Sequence, residues 1–247
     1  MVEKKSTTDW RTDLLDDNNF EQKTEFNYEL CVTLLEDCGK DLENLNPFLL
    51  LRPIWEITKA FRALSSALSV GFADITDKVN VWRSLIKDHY KEANSIQEVI
   101  EKEVSLSLHE LNGENNGDKK YGHKKKTTYY EYVSGTRTLL RLSWFLDFFN
   151  NIVKNCNEQA DKSFSDCIKI SYDKCLAPHH PWLVRKGAAI GISFAPSKRE
   201  KAMKLFFGEE AWNDDCKKKM ERWRLAIEKI WTYINGLYEK KQFLELP

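Results

Sequence analysis

The chain has 247 residues, 42% hydrophobic and 31% charged, the balance of a globular protein with room for a buried core. Thirty-eight basic residues match 38 acidic ones, so net charge supplies no general attraction to nucleic acid or an anionic membrane; any attraction must be local. Ten glycines and six prolines are too few for an all-β sandwich, and no apolar run approaches the ~18 residues of a bilayer span.

Residues 1–18 read as a polar, frayed segment without the apolar core of a secretory signal, ahead of a single domain over 19–247. Residues 20–38 read as a helix, with Tyr28, Cys31, Leu35 and Cys38 recurring at three- and four-residue steps. Asn46-Pro47 fits a helix start. A long apolar-rich segment then runs to about Tyr90, with Pro53 as a break or a first-turn proline. Ser95 opens a helix to about Leu111, with Gln97 and Glu98 in its first turn.

Residues 112–128 hold three glycines, three asparagines and five lysines, and read as a mobile insertion. Helical periodicity resumes over 129–155 and 162–176. Pro178 and Pro181 then bracket two histidines at a sharp break. Residues 182–195 and 198–207 read as helices separated by Pro196. A last helix over 213–240 carries Trp223, Ile227, Ile230, Ile234 and Leu237 on one stripe. No run alternates as a strand would. The expected class is all-α, with about eight helices.

The motif search returns no chemistry. There is no GxSxG elbow, HExxH helix, GxxxxGK[ST] loop or GxGxxG turn, so no enzyme, cofactor or metal is expected. Six cysteines without a CxxC pair read as free thiols of a cytosolic protein. Cys167, Cys175 and His179 match no usual zinc spacing. Gly187 and Gly191 fit close helix packing in a soluble core.

Three features ask for more. Arg137 and Arg141, four residues apart, share a helix face among Leu139, Leu140, Leu142, Trp144, Phe145 and Phe148, with no acidic residue three or four positions away. Two like charges there repel. Either an anion bound between them or carboxylates on another helix would remove the cost. Asp74 and Lys78 also share a face, as a surface ion pair or as site residues, and Gly71 before them would allow close approach of a ligand or helix. His180, between prolines, is either structural or a donor to an amide carbonyl or phosphate. Trp182, followed by Arg185 and Lys186, suits a membrane interface, a half-buried core tryptophan being the alternative.

In this order, GFADITDK, RTLLRL and HHPWLVRKGAAIGISFAPSK resemble the glycolipid-transfer-protein superfamily, and within it the branch that binds phosphate headgroups, from about Phe26 to the C-terminal helix. The resemblance implies an all-α, two-layer helical sandwich enclosing one lipid pocket. Asp74 would accept hydrogen bonds from the sphingoid amide and hydroxyl, and His180 would donate to the acyl carbonyl. Lys78, Arg137 and Arg141 would hold the phosphate, Phe148 would line the pocket, and Trp182 would dock on membranes. Glycolipid binders of the family carry tryptophan at the position of Arg141 and asparagine at that of Lys78. Two cations there favour a phosphate over a neutral sugar.

The expected function is transfer of a phosphorylated sphingolipid, ceramide-1-phosphate, between membranes without chemical change. The expected protein is a cytoplasmic monomer that touches membrane surfaces transiently and binds no nucleic acid. A sphingolipid sensor that binds without delivering, and glycolipid transfer, are the alternatives. The lysine-rich insertion is longer than the family pattern and bears on membrane preference.

Overall fold

The structure, a computed structural model, describes residues 25–64, 73–111, 132–209 and 211–246. The polar segment 1–18, Gly71 and the insertion at 112–128 lie outside the described residues. Among those residues there are nine α-helices and a 3-10 turn, with no strand beyond an isolated bridge position at Val133. The all-α expectation holds.

Helix α1 spans Tyr28–Cys38, where Asn27 caps it by accepting from the Leu30 amide. Cys31, Val32 and Leu35 turn inward from it. Helix α2, Pro47–Leu64, starts where Asn46-Pro47 places it: the Asn46 side chain accepts from the amides of Phe48 and Leu49. It continues through Pro53, which is neither a break nor a first-turn residue. A proline costs a helix interior about 3 kcal/mol. Here α2 also buries Phe48, Leu50, Leu51, Ile54, Ile57 and Phe61, and burial at ~1.5–3 kcal/mol per large apolar side chain outweighs that loss.

Helix α3 is Ala73–His89 and α4 is Ile96–Ser105, capped by Ser95. Helix α4 stops short of Leu111, because residues 106–110 leave the helix and Ser107 sits at φ 56. Helix α5, Gly135–Glu158, begins six residues later than the periodicity suggests. The Ser134 amide bonds to the Leu111 carbonyl at 2.9 Å just before it, joining the two sides of the insertion. Helix α6 is Phe164–Cys175, opened by a Ser163/Asp166 capping box. The 3-10 turn Ala177–His179 follows at the proline-bracketed break, then α7 at Trp182–Ser193 and α8 at Arg199–Phe207, ended by Gly208 at φ 72. Helix α9 is Asp214–Lys240, capped by Asn213. Its inner stripe is Trp223, Ile227, Ile230, Ile234 and Tyr238; Leu237, expected on the stripe, is only partly buried.

Helix α5 lies at the centre, packed against α3, α4, α6 and α9, while α2 packs against α1, α3 and α8. The core where α2 meets α5 is aromatic: Phe61 touches Phe145, Phe148 and Phe149 at ring-centroid distances of 6.1, 6.0 and 5.5 Å. All six cysteines are buried free thiols.

Candidate functional site

Helix α5 is held at its first turn by a residue that periodicity does not reveal. Glu103, fully buried on α4, places Oε1 2.7 Å from the Tyr132 hydroxyl and 2.6 Å from the Gly135 amide. Its Oε2 lies 2.8 Å from the Ser134 hydroxyl and 2.7 Å from the Thr136 amide. Four donors thus converge on one carboxylate at a helix N-terminus, where the helix dipole also favours negative charge. The Trp82 indole donates to the Gly135 carbonyl and the Tyr238 hydroxyl to that of Thr136, at 2.7 and 2.6 Å. Gly135 is required by space, since a Cβ there would lie 2.5 Å from Leu85 and 3.3 Å from the Glu103 carboxylate. These contacts fix the rotation of α5 about its axis and so decide which way Arg137 and Arg141 face.

One turn on, Arg141 forms one wall of a cleft of about 450 Å³. Asp74, Ile75 and Lys78 come to it from α3, Trp144 and Phe145 from α5, Leu176, His179 and His180 from the turn after α6, and Val184 from α7. The four-residue steps work as the sequence suggests: Asp74 and Lys78 emerge together from one face of α3, and the Lys78 ammonium is ion-paired to the Asp74 carboxylate. The surface ion pair and the cleft position are both real, because the pair sits at the rim with Asp74 65% and Lys78 23% exposed.

Arg141 is half-buried. Its Nη1 donates to the Arg137 carbonyl at 3.0 Å and its Nη2 to the Leu246 carbonyl at 3.1 Å. Burial, and next the nearby Arg137 charge, press its pKa down to about 10, against an ordinary value above 12; it remains a cation at neutral pH. An anion entering the cleft would reverse that pressure. Arg137, also pushed down by burial, is half-buried a turn earlier and is not among the residues lining the cleft.

His180 is oriented by Tyr172, whose hydroxyl lies 2.9 Å from Nδ1. Burial holds His180 below the usual histidine value, so the ring is neutral at pH 7. In the tautomer where the Tyr172 hydroxyl donates to Nδ1, the ring proton is on Nε2 and can be donated to a ligand carbonyl. His179 stacks flat on Trp144, centroids 3.6 Å apart and planes 4° from parallel, and the Arg141 guanidinium lies 5.1 Å from the same indole.

Phe148, expected as pocket lining, lies in the core against Phe61 and Tyr172; the phenylalanine that faces the cleft is Phe145. Trp182 is outside the cleft, 61% exposed on α7. Leu183, Ile190 and Phe194 on the same segment are 72, 64 and 62% exposed, and the Lys186 ammonium sits 4.0 Å from the centre of the Trp182 ring. Most of α7 is solvent-facing. A Cβ at Gly187 would meet nothing within 4 Å, so this glycine does not serve the close packing expected of it. Sequence reasoning missed Glu103, Trp144, Phe145, His179 and Leu246. Of these Trp144 and Phe145 were within reach, three and four residues from Arg141 and so on the same helix face.

A larger groove of about 540 Å³ lies between α1 and α9, but its Arg222 is bonded to Glu36 and Glu29 across the two helices. The charges there are matched within the chain. Among the described residues no helix is long and apolar enough to cross a membrane, and no cluster of histidine, cysteine and carboxylate groups could hold a metal.

Comparison with known proteins gives one consistent result. The family model "Glycolipid transfer protein (GLTP)" matches residues 45–206. "Accelerated cell death 11" of Arabidopsis thaliana is 30% identical over 113 residues, 44% of this chain, and the match spans only about half (52%) of that protein. A "Ceramide-1-phosphate transfer protein" of Danio rerio is 24% identical over 199 residues, covering 78% of this chain and 84% of its own. The crystal structure of the human ceramide-1-phosphate transfer protein in complex with 2:0 ceramide-1-phosphate superposes with a TM-score of 0.76 at 21% identity, over 91% of this chain and all of that one. At that identity the likeness speaks for the fold.

Proposed function

The chain belongs to the glycolipid transfer protein family, and from that premise we propose that it carries a phosphorylated sphingolipid, ceramide-1-phosphate, between membranes without making or breaking a bond. The observation that carries the reading is the convergence of Asp74, Lys78, Arg141 and His180, from three separate elements, on one cleft. Relatives named for ceramide-1-phosphate transfer, and a neighbour of the same fold with that lipid bound, support it.

In this reading Lys78 and Arg141 take the phosphate, the lysine as a point charge and the guanidinium through its directed N–H groups. Arg137 backs them with its charge from one turn away. Asp74 accepts from the sphingoid amide N–H and hydroxyl, and His180 donates from Nε2 to the acyl carbonyl. A neutral sugar brings no charge to set against two cations and is disfavoured.

The hydrocarbon chains enter past Phe145. Phe61, Phe148 and Phe149 are in contact behind it, so chain entry must part these rings and the helices that carry them. Each methylene moved from water is worth ~0.8 kcal/mol, but a bilayer offers the same, so transfer follows the lipid gradient and needs no nucleotide. The exposed Trp182, Leu183, Ile190 and Phe194, with Arg185 and Lys186 beside them, form the face on which the protein rests at a membrane while the lipid changes hosts.

Vesicle-to-vesicle transfer of labelled ceramide-1-phosphate, with galactosylceramide and sphingomyelin as competitors, tests this. The expected result is delivery to acceptor vesicles, unaffected by either competitor. Binding without delivery would make the protein a sensor, and competition by galactosylceramide would remove the phosphate assignment.

A further inference from the structure

After α9 the chain does not run off into solvent. Lys241 closes the helix, and Gln242 turns in the left-handed region at φ 58 with its amide on the Glu239 carbonyl at 3.0 Å. The Phe243 amide then bonds to the Tyr238 carbonyl at 2.8 Å, and its ring stacks on His109 with centroids 5.0 Å apart. Residues 243–246 fold back, with the Leu246 amide on the Phe243 carbonyl at 3.3 Å. This places the Leu246 carbonyl on Arg141 Nη2. Leu246 is buried, and it is Arg141 that lines the cleft.

The guanidinium is thereby fixed from several sides. Nη1 is taken by the Arg137 carbonyl, Nη2 by the strap, and Trp144, itself covered by His179, sits beside the plane. A mobile arginine side chain carries rotamer entropy that a bound phosphate would have to overcome. An arginine already held by carbonyls at the cleft wall loses little on binding. Carbonyl acceptors suit this role, because they orient the fork without neutralising the charge that the ligand needs.

Resting on the carrier reading, we infer that residues 242–246 are a positioning strap for Arg141, and that the strap contributes to recognition of the phosphate and not of the ceramide body. The strap acts through Arg141 and does not itself touch the lipid.

Point variants in the full chain test it, with affinities measured for a soluble short-chain ceramide-1-phosphate and for the matching unphosphorylated ceramide. Gln242→Pro cannot adopt φ 58 and breaks the turn, Phe243→Ala frees the strap from His109, and Gln242→Gly keeps the turn. The two disruptive variants are expected to bind the phosphorylated lipid at least ~fivefold more weakly with ceramide affinity unchanged, and Gln242→Gly to behave as wild type. In an Arg141→Leu background Gln242→Pro is expected to cost nothing further. Equal weakening for both lipids, wild-type affinity in both disruptive variants, or a further loss in the Arg141→Leu background overturns the inference. If Gln242→Pro does not fold, Phe243→Ala decides by the same readings. A wild-type chain that binds the two ceramides alike overturns the carrier reading itself, and this shows before any variant is made.

Discussion

The two ends of the first turns of α5 handle charge in opposite ways. At the N-terminus Glu103 is buried and receives four hydrogen bonds from the chain itself, so the protein has completed that ionic site internally. At Arg141 two carbonyls accept from the guanidinium, and burial beside Arg137 presses the cation's pKa down towards its neutral form. A buried charge whose hydrogen bonds the fold completes is structure, whereas a half-buried cation at the wall of a cleft is, in the reading proposed above, where the lipid phosphate is met. Both charges act on α5, Glu103 from α4 and Arg141 from α5 itself, and the first orients the helix that carries the second.

Breaking the structural end should have the largest effect. Glu103→Ala removes the carboxylate to which two hydroxyls and two amides donate, and removing one side of a buried charged network costs about 3–5 kcal/mol. A melting temperature at least ~6 °C lower is expected in thermal unfolding, since 1 kcal/mol moves a chain of this size by ~2–4 °C. A smaller fall would show that water or another acceptor replaces the cap, and the contrast with Arg141 would weaken.

Breaking the functional end should do the reverse. Arg141→Leu is expected to cut ceramide-1-phosphate transfer at least ~tenfold, from a lost charged hydrogen bond of ~1.5–3 kcal/mol, with the melting temperature unchanged or raised. Wild-type transfer in a folded Arg141→Leu protein would remove the phosphate from this wall of the cleft.

The smallest effect sharpens the comparison on α7, where apolar side chains face outwards instead of into the core. Trp182→Ala is expected to weaken binding to anionic vesicles several-fold and slow transfer, with affinity for soluble short-chain lipid and melting temperature unchanged. A core tryptophan would instead cost ~3–5 kcal/mol on truncation, and the exposure of Trp182 argues against that outcome.

Much of this was legible in the chain. Helical periodicity marked the segments that became α1, α5, α6 and α9, because an apolar side chain every three or four residues can be buried together only in a helix. Asn46-Pro47, Ser95 and Asn213 set helix starts through local capping chemistry that needs no partner from elsewhere. The four-residue steps of Asp74 with Lys78 and of Arg137 with Arg141 told which side chains share a face, and the order of three motifs pointed to the family.

What the tertiary structure decided is how those faces meet. Pro53 stays inside α2 because burial along the whole helix outweighs one missing hydrogen bond, a balance no local window contains. Glu103 caps α5 from 31 to 33 residues away, and Leu246 reaches Arg141 across 105 positions of sequence. Arg137 and Arg141 look equivalent in the chain, and Glu103, Trp82 and Tyr238 orient the face they share, but the cleft opens at the level of Arg141 and leaves Arg137 one turn back along the helix. Residue type and neighbours left Trp182 open between a membrane interface and a half-buried core, and packing leaves it in solvent, whereas Phe148, expected to line the pocket, is in the core. Local hydrogen bonding and periodicity act over one or two turns of chain, so the sequence determines elements and their faces. Which face becomes wall, core or open surface depends on contacts between distant segments, and those exist only once the helices have packed.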